Sequence, residues 1–240
     1  MIRDVTRHEL VQFAGLVARL EADEEGVDVR ALVLPAMVGL LRADFGASFV
    51  WSAQAGRFLE PRAVNMSPDN IQRYDAHFRW VDPISQRLRL RRKASFVADV
   101  MPQAELERTE FFHDFLSRDG LHHGINIYLF DGQRDLGDFR VWRARGRPEF
   151  EQRDKDLLDV LEPYVRRALL REQEQRPVLT ARERDVAALA AKGLTDREIA
   201  GLLGIGFSTV RTHLGRLLAK FGCANRAELA ARLTRRRSDA

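Results

Sequence analysis

The sequence predicts an α+β protein: an N-terminal α/β/α sandwich with a five-stranded antiparallel sheet, then a C-terminal domain of four helices. Three observations lead there. Extended segments alternate with helical ones only before about residue 145. The last sixty residues carry only helical periodicity, with regular start and stop signals. Between the two regions, the amphipathic pattern from about Glu149 fades into charge and stops near Pro177. The expected boundaries are therefore 1–176 and 177–240.

In the first region, residues 4–22 and 28–44 read as helices, and "ASFVWSA" and "RFLEPRAV" as strands around a turn at Gln54–Gly56. A helix over 67–79 opens on Ser67-Pro68, where proline suits the first turn. "ASFVADV" is the third strand and 102–118 a helix, whereas the basic run "RLRLRRK" (87–93) reads as a solvated connection. "HHGINIYLF" and "LGDFRVWRA" form a hairpin across Asp131–Asp135. Leu157, Val160, Leu161, Tyr164, Val165, Ala168 and Leu169 line the apolar face of the joining helix, which Pro163 should bend mildly.

In the second region Thr180 with Glu183, Thr195 with Glu198, and Asn225 with Glu228 have capping-box spacing. Gly193, Gly204 and Gly222 stand where helices should stop. Four helices follow, near 181–192, 196–203, 207–221 and 226–233.

Charge separates the same two regions. Residues 177–240 hold 12 Lys/Arg against 6 Asp/Glu, and residues 1–176 hold 27 against 29. The basic surplus belongs to the helical domain, as expected where that part meets a polyanion. The longest apolar run, "ALVLPAMVGLL", contains a proline and is too short to span a bilayer, and "MIRDVTRHEL" lacks a secretory pattern. One cysteine, Cys223, forms no internal disulfide, so a cytoplasmic protein is expected.

"STVRTHLGRL" concentrates the chemistry. Wound as a helix, it buries Val210, Leu214 and Leu217 and presents Ser208, Thr212, Gly215, Arg216 and Ala219 opposite, flanked by Arg211 and Thr209. An ordinary surface helix fills that face with Glu and Lys. Short side chains with arginines suit close approach between phosphate walls, and "LGIG" before it gives a helix-turn-helix whose second helix enters the major groove.

"LTARE", "KGLTDREIA", "LGI", "STVRTH", "KFG" and "NRAEL" stand in the order and spacing of the LuxR-type DNA-binding domain, which residues 179–229 resemble throughout. The resemblance implies a third helix that reads double-stranded DNA and a fourth that commonly makes dimer contacts. Expected DNA-facing residues are Ser208, Thr209, Arg211, Thr212, His213, Arg216 and Lys220. Gly206–Phe207 and Gly215 depart from the pattern, which has polar or basic residues there.

"YDAHFRWVDPI" and "DGLHHGINIYLFDGQRDLG" resemble the ligand-sensing domains of LuxR-type regulators, including the group that responds to acyl-homoserine lactones. Phe78 stands where that group has a tyrosine four residues before Asp82–Pro83; Gly120–Leu121 and Gly124 match its Gly-Leu-x-x-Gly strand. Val97 stands where it has a tryptophan, and its upstream Trp-then-Tyr pair is not recognisable. The broader GAF/PAS-like architecture is compatible with these changes. Candidate cavity walls are Trp51, Tyr74, Phe78, Trp80, Phe96 and Tyr128, with Asp82 and Arg140 as polar groups and Arg140 suited to an anionic effector.

No phosphate-accepting receiver pattern is present: the chain opens on a helix, without the early acidic pair after a strand. Glu110, His113, Asp114, His122 and His123 invite a metal reading, but helix and strand geometry disperse them, so no metal, cofactor or catalytic residue is expected. The reading is a sequence-specific transcriptional regulator of the LuxR type. A small-molecule effector, a homodimeric partner copy, DNA and RNA polymerase are its expected partners, without membrane association. The alternative is a ligand-independent regulator or architectural protein whose first domain only dimerises.

Overall fold

The computed structural model describes residues 5–22, 27–53, 55–175 and 177–238, with side chains described to residue 233. Gln54 of the first expected turn, Asp4 at the start of the first expected helix, and Arg176 at the boundary lie outside them. Contacts divide the chain into two units, residues 1–175 and 176–240.

The first unit is built on an antiparallel sheet ordered β2-β1-β5-β4-β3. The strands are β1 (Phe45–Ser52), β2 (Arg57–Val64), β3 (Ser95–Phe96), β4 (Leu121–Asp131) and β5 (Arg134–Ala144). β4 and β5 form the central hairpin, with Ile125 opposite Val141 and Asn126 opposite Arg140. Strand side chains alternate between faces, so each strand supplies two cores. Ile125, Ile127 and Leu129 of β4 with Phe139 and Val141 of β5 meet α1 (Arg7–Glu21), α2 (Val29–Leu40) and α8 (Gln152–Glu174). Tyr128, Trp142, Ala47 and Phe49 meet the helical layer drawn from residues 68–119 on the other face. The sheet thus lies between two helical layers, as the alternation predicts.

The cap of α1 ties it to α8. Thr6 and Glu9 form a reciprocal capping box, and the buried Glu9 carboxylate also accepts from Arg42 at 3.1 Å and Arg153 at 2.8 Å. Burial alone would raise this carboxyl; Arg153 and the Thr6 N–H outweigh it and hold Glu9 down at about 2.

Four local expectations are corrected. The third strand ends at Phe96: the Asp99 carboxylate accepts the Phe96 N–H at 3.0 Å and turns 97–99 into a 3₁₀ turn. The connection at 87–93 is largely helical, α5 (Ser85–Arg91), because Leu88 is fully buried and Asp82 Oδ1 accepts the N–H groups of Ile84 and Ser85 at 2.9 Å. Arg92, at φ 53°, ends it.

The helices expected over 67–79 and 102–118 are interrupted. α3 (Pro68–Arg73) passes through a π-helical turn, Tyr74–Phe78, into α4 (Arg79–Val81). α6 (Gln103–Leu106) is followed by a second π turn, Phe111–Leu116, and α7 (Ser117–Asp119). The two π turns bring Tyr74 and Phe78 against Phe111 and Phe115, with centroids 5.3 Å apart for Tyr74–Phe115 and 5.5 Å for Phe78–Phe115.

The second unit has four helices: α9 (Ala181–Ala191), α10 (Asp196–Leu203), α11 (Phe207–Phe221) and α12 (Arg226–Ser238). Val186, Ile199, Val210, Leu217 and Leu229 are fully buried at their junction. The boxes at Thr180–Glu183 and Thr195–Glu198 form. At α12, Asn225 Oδ1 accepts the Glu228 N–H at 2.9 Å, while Glu228 reaches back to the Ala224 N–H at 2.8 Å. Gly204 and Gly222 stop α10 and α11 in the left-handed region, at φ 62° and 60°. Cys223 is buried beside that stop, its Sγ 3.6 Å from the Phe221 carbonyl oxygen.

Candidate functional site

In the second unit, α11 follows α10 after a three-residue turn, Gly204 to Gly206, that Gly204 opens in the left-handed region. Val210, Leu214, Leu217 and Phe221 hold its inner side. The outer side presents Ser208, Thr209, Arg211, Thr212, Gly215, Arg216 and Ala219, all exposed. Arg211 and Arg216 make no hydrogen bond, ion pair or ring contact among the described residues. A Cβ placed on Gly215 would meet nothing within 4 Å, so this side of the helix is bare. Gly206 caps α11 without a side-chain hydrogen bond, leaving first-turn N–H groups for an outside acceptor.

Two expected residues on α11 spend donors within the unit, and a third is partly enclosed by it. The Thr212 hydroxyl donates to the Ser208 carbonyl at 3.0 Å, so it faces outward as an acceptor and a methyl group. His213 is half-buried, with an unpartnered Nδ1. Lys220 is turned inward: its Nζ donates to Glu183 at 2.7 Å and to the Val178 carbonyl at 2.8 Å. The Lys220 hydrogen bond, with the Thr180 N–H, holds the Glu183 carboxyl down at about 2. Arg226 is a structural clamp, donating to Asp196 and to the Leu194 carbonyl.

In the first unit, Arg140 crosses the layer between sheet and helices. It donates to Asp138 through Nε (3.0 Å) and Nη2 (2.7 Å), and through Nη1 to the Tyr74 hydroxyl (3.0 Å) and Ser85 Oγ (2.9 Å). Its guanidinium carbon lies 4.3 Å from the Phe58 ring centroid and 4.6 Å from that of Phe49. Asp82 completes the set, accepting from the Tyr74 hydroxyl at 2.9 Å and Ser85 Oγ at 2.5 Å. Burial pushes Asp138 up to about 6, with Arg140 and the Phe49 N–H pulling the other way. Burial raises the Tyr74 and Tyr128 hydroxyls, which stay protonated.

This latch separates two spaces, both lined by Tyr74 and Ser85. The inner chamber, about 20 Å³, lies under Phe111, Phe115 and Trp142 beside Asn126, whose amide is buried without a protein partner. The outer cavity, about 150 Å³, lies among Trp51, Phe58 and Trp80.

Among the expected residues, Trp51, Tyr74, Trp80 and Asp82 therefore meet around the outer cavity, and Arg140 lines the inner chamber. Phe78 and Tyr128 pack within the same core without lining either space. Phe96 is a correction: it packs against the opposite core, under the Lys155 ammonium at 3.7 Å. Arg140 is a correction in role, because its guanidinium is committed to four internal hydrogen bonds rather than held open for an anion.

The sequence reading missed Asp138, Ser85, Phe49, Phe58, Arg57 and Arg79. Asp138 left a signal, lying two residues before Arg140 and so on the same strand face. Among the described residues no cluster of three metal-ligating side chains forms, and no helix is long and apolar enough to cross a membrane.

The class that this geometry defines is a helix-turn-helix unit joined to a sheet-based α/β/α unit. Residues 177–233 match the family of bacterial regulatory proteins, luxR family. The chain carries a LuxR-type helix-turn-helix domain over these residues. Over 169 residues it is 27% identical to the monoamine regulon transcriptional regulator of Klebsiella aerogenes, covering 70% of this chain and 74% of that one. Over 55 residues it is 47% identical to the transcriptional regulatory protein UhpA of Salmonella typhimurium, covering 23% of this chain and only 28% of UhpA. The latter likeness is therefore confined to one domain. The fold is that of SdiA, solved in complex with octanoyl-rac-glycerol, at a TM-score of 0.52 and 18% identity over 96% of both chains.

Proposed function

We propose that the chain is a sequence-specific DNA-binding regulator of transcription, acting in the cytoplasm as a homodimer. Its N-terminal unit, residues 1–176, senses a small molecule and dimerises, while residues 177–240 read the operator and meet RNA polymerase. The observation that carries this reading is the outer face of α11, where Arg211 and Arg216 are exposed, with no partner among the described residues, beside Gly215 and Ala219. Arg211 and Arg216 would reach base edges or phosphates, with Ser208, Thr209, Thr212 and His213 along the groove wall. Lys220 would contribute through its hold on Glu183.

The test is binding-site selection from random duplexes, then titration of the selected site against salt. A dimer making about six phosphate contacts gives a log–log slope near −5. A slope near zero, or unchanged site preference in Arg211→Ala, would refute the groove-reading role.

Control by an effector is supported by the outer cavity and its aromatic walls. The ligand-independent alternative is favoured by the inner latch, where Arg140 already fills the aromatic cage. Retention of the selected duplex with and without a metabolite mixture separates the two.

A further inference from the structure

We propose that the outer cavity is a binding site for a compact aromatic carboxylate, a single planar ring bearing one anionic group. This deepens the sensor reading given above and rests on it. The size comes first. The cavity holds about 150 Å³, and apolar cavities of about that volume admit a benzene-sized ring. Its continuation towards the inner chamber is closed by the Arg140–Tyr74–Ser85–Asp82 latch, so a long acyl chain has no path inward.

The walls set the shape. Trp51 and Phe58 meet edge to face at 5.0 Å, and Trp80 is largely exposed at the mouth. A flat ring lying among them covers apolar surface that otherwise faces water.

The charge comes from the mouth. Arg57 and Arg79 both lean on one carboxylate, Asp75, through Oδ1 at 2.9 and 2.5 Å. Two guanidiniums sharing one carboxylate leave an excess positive charge. In addition, Arg79 Nε is buried and has no acceptor, although the Arg79 guanidinium lies against Trp80 at 4.6 Å. The Nη2 groups of Arg57 and Arg79 have no acceptor among the described residues, and a carboxylate at the mouth supplies one. The floor offers a cation nothing comparable, because Asp82 already accepts from Tyr74, Ser85 and the Ile84 and Ser85 amides.

The experiment is titration of the full chain by tryptophan fluorescence with benzoate, benzyl alcohol, benzylamine and octanoate. Trp51 and Trp80 report on the outer cavity. Benzoate should saturate and bind about tenfold or more tighter than benzyl alcohol, the difference expected of one charge-assisted contact. Benzylamine and octanoate should bind more weakly still. Arg79→Gln should remove the benzoate preference and keep benzyl alcohol binding; Trp80→Phe, at an exposed position, should reduce the signal with the fold intact. Arg57→Gln should repeat the Arg79 result.

Equal or tighter binding of benzyl alcohol, benzylamine or octanoate overturns the ligand class, as does no saturation by benzoate at millimolar concentration. Parallel gel-shift titrations of the selected duplex separate this from the wider reading. Benzoate that binds without changing DNA affinity leaves the site standing and removes effector control. A neutral ligand that changes DNA affinity while benzoate does not bind does the reverse.

Discussion

Arginine is used in opposite ways at the two candidate sites. In the first unit, Arg140 makes four internal hydrogen bonds, and Arg143 donates to the carbonyls of Leu41, Pro148 and Glu149 while pairing with Asp154. In the second, Arg211 and Arg216 point outward with no partner among the described residues. A guanidinium surrounded by its own chain's acceptors organises a core, because removing it strands buried charge. One without internal partners is open to another molecule's acceptors. Residue type alone does not separate the roles; the count of acceptors around each side chain does.

The largest expected break of that contrast is Arg140→Ala. It leaves Asp138 buried without its counter-ion and empties the space beside Phe49 and Phe58, at a cost of about 3–5 kcal/mol. All three tryptophans lie in residues 1–175, so urea unfolding followed by their fluorescence reads this unit. An unchanged midpoint would mean the latch is not structural. Arg211→Ala should leave thermal stability unchanged and weaken binding to the selected duplex by about 1–3 kcal/mol, seen in gel-shift titration. A shifted melting temperature would show that Arg211 has an internal role after all.

Thr195→Ala should destabilise the helical unit by about 1 kcal/mol, since the hydroxyl caps α10 and its box with Glu198 is lost; far-UV circular dichroism melts give the measure. Gly215→Ala is expected to act in the other direction. Its Cβ meets nothing, so the helix gains up to about 1 kcal/mol, while DNA affinity falls if that face approaches the duplex closely. Gains in both stability and affinity would move the docking face elsewhere.

The subtlest expectation concerns pH. Glu183 is held at about 2, below its ordinary 4.5, so the stability it brings is complete above about 4.5 and is lost as pH falls towards 2. Wild type and Lys220→Met should therefore differ above pH 4.5 and converge below it in circular dichroism melts.

Much of this architecture was legible in the sequence, and the exceptions have physical causes. The β4–β5 hairpin was readable because apolar residues alternate on both faces, and the helical unit because its caps are local chemistry. The π turns were not, since a 3.6-residue period continues through Tyr74–Phe78 and Phe111–Leu116 without a visible break; only the stacking of four rings across two segments accounts for them. α5 was hidden by its charge, with buried Leu88 and the Asp82 cap outweighing "RLRLRRK". At the candidate site, type and position placed Tyr74, Trp51 and Asp82 near one another, but Phe96 required knowing which face of β3 it occupies. Arg140 required knowing that Asp138 shares its face.

The thiol of Cys223 sits under the stop of α11, where α12 begins, and is the chain's single sulfhydryl. A maleimide can reach it only when that corner comes apart. Its alkylation rate is therefore a clock for opening of the helix-turn-helix unit, and slowing of that clock by added duplex would register docking without any label on the nucleic acid.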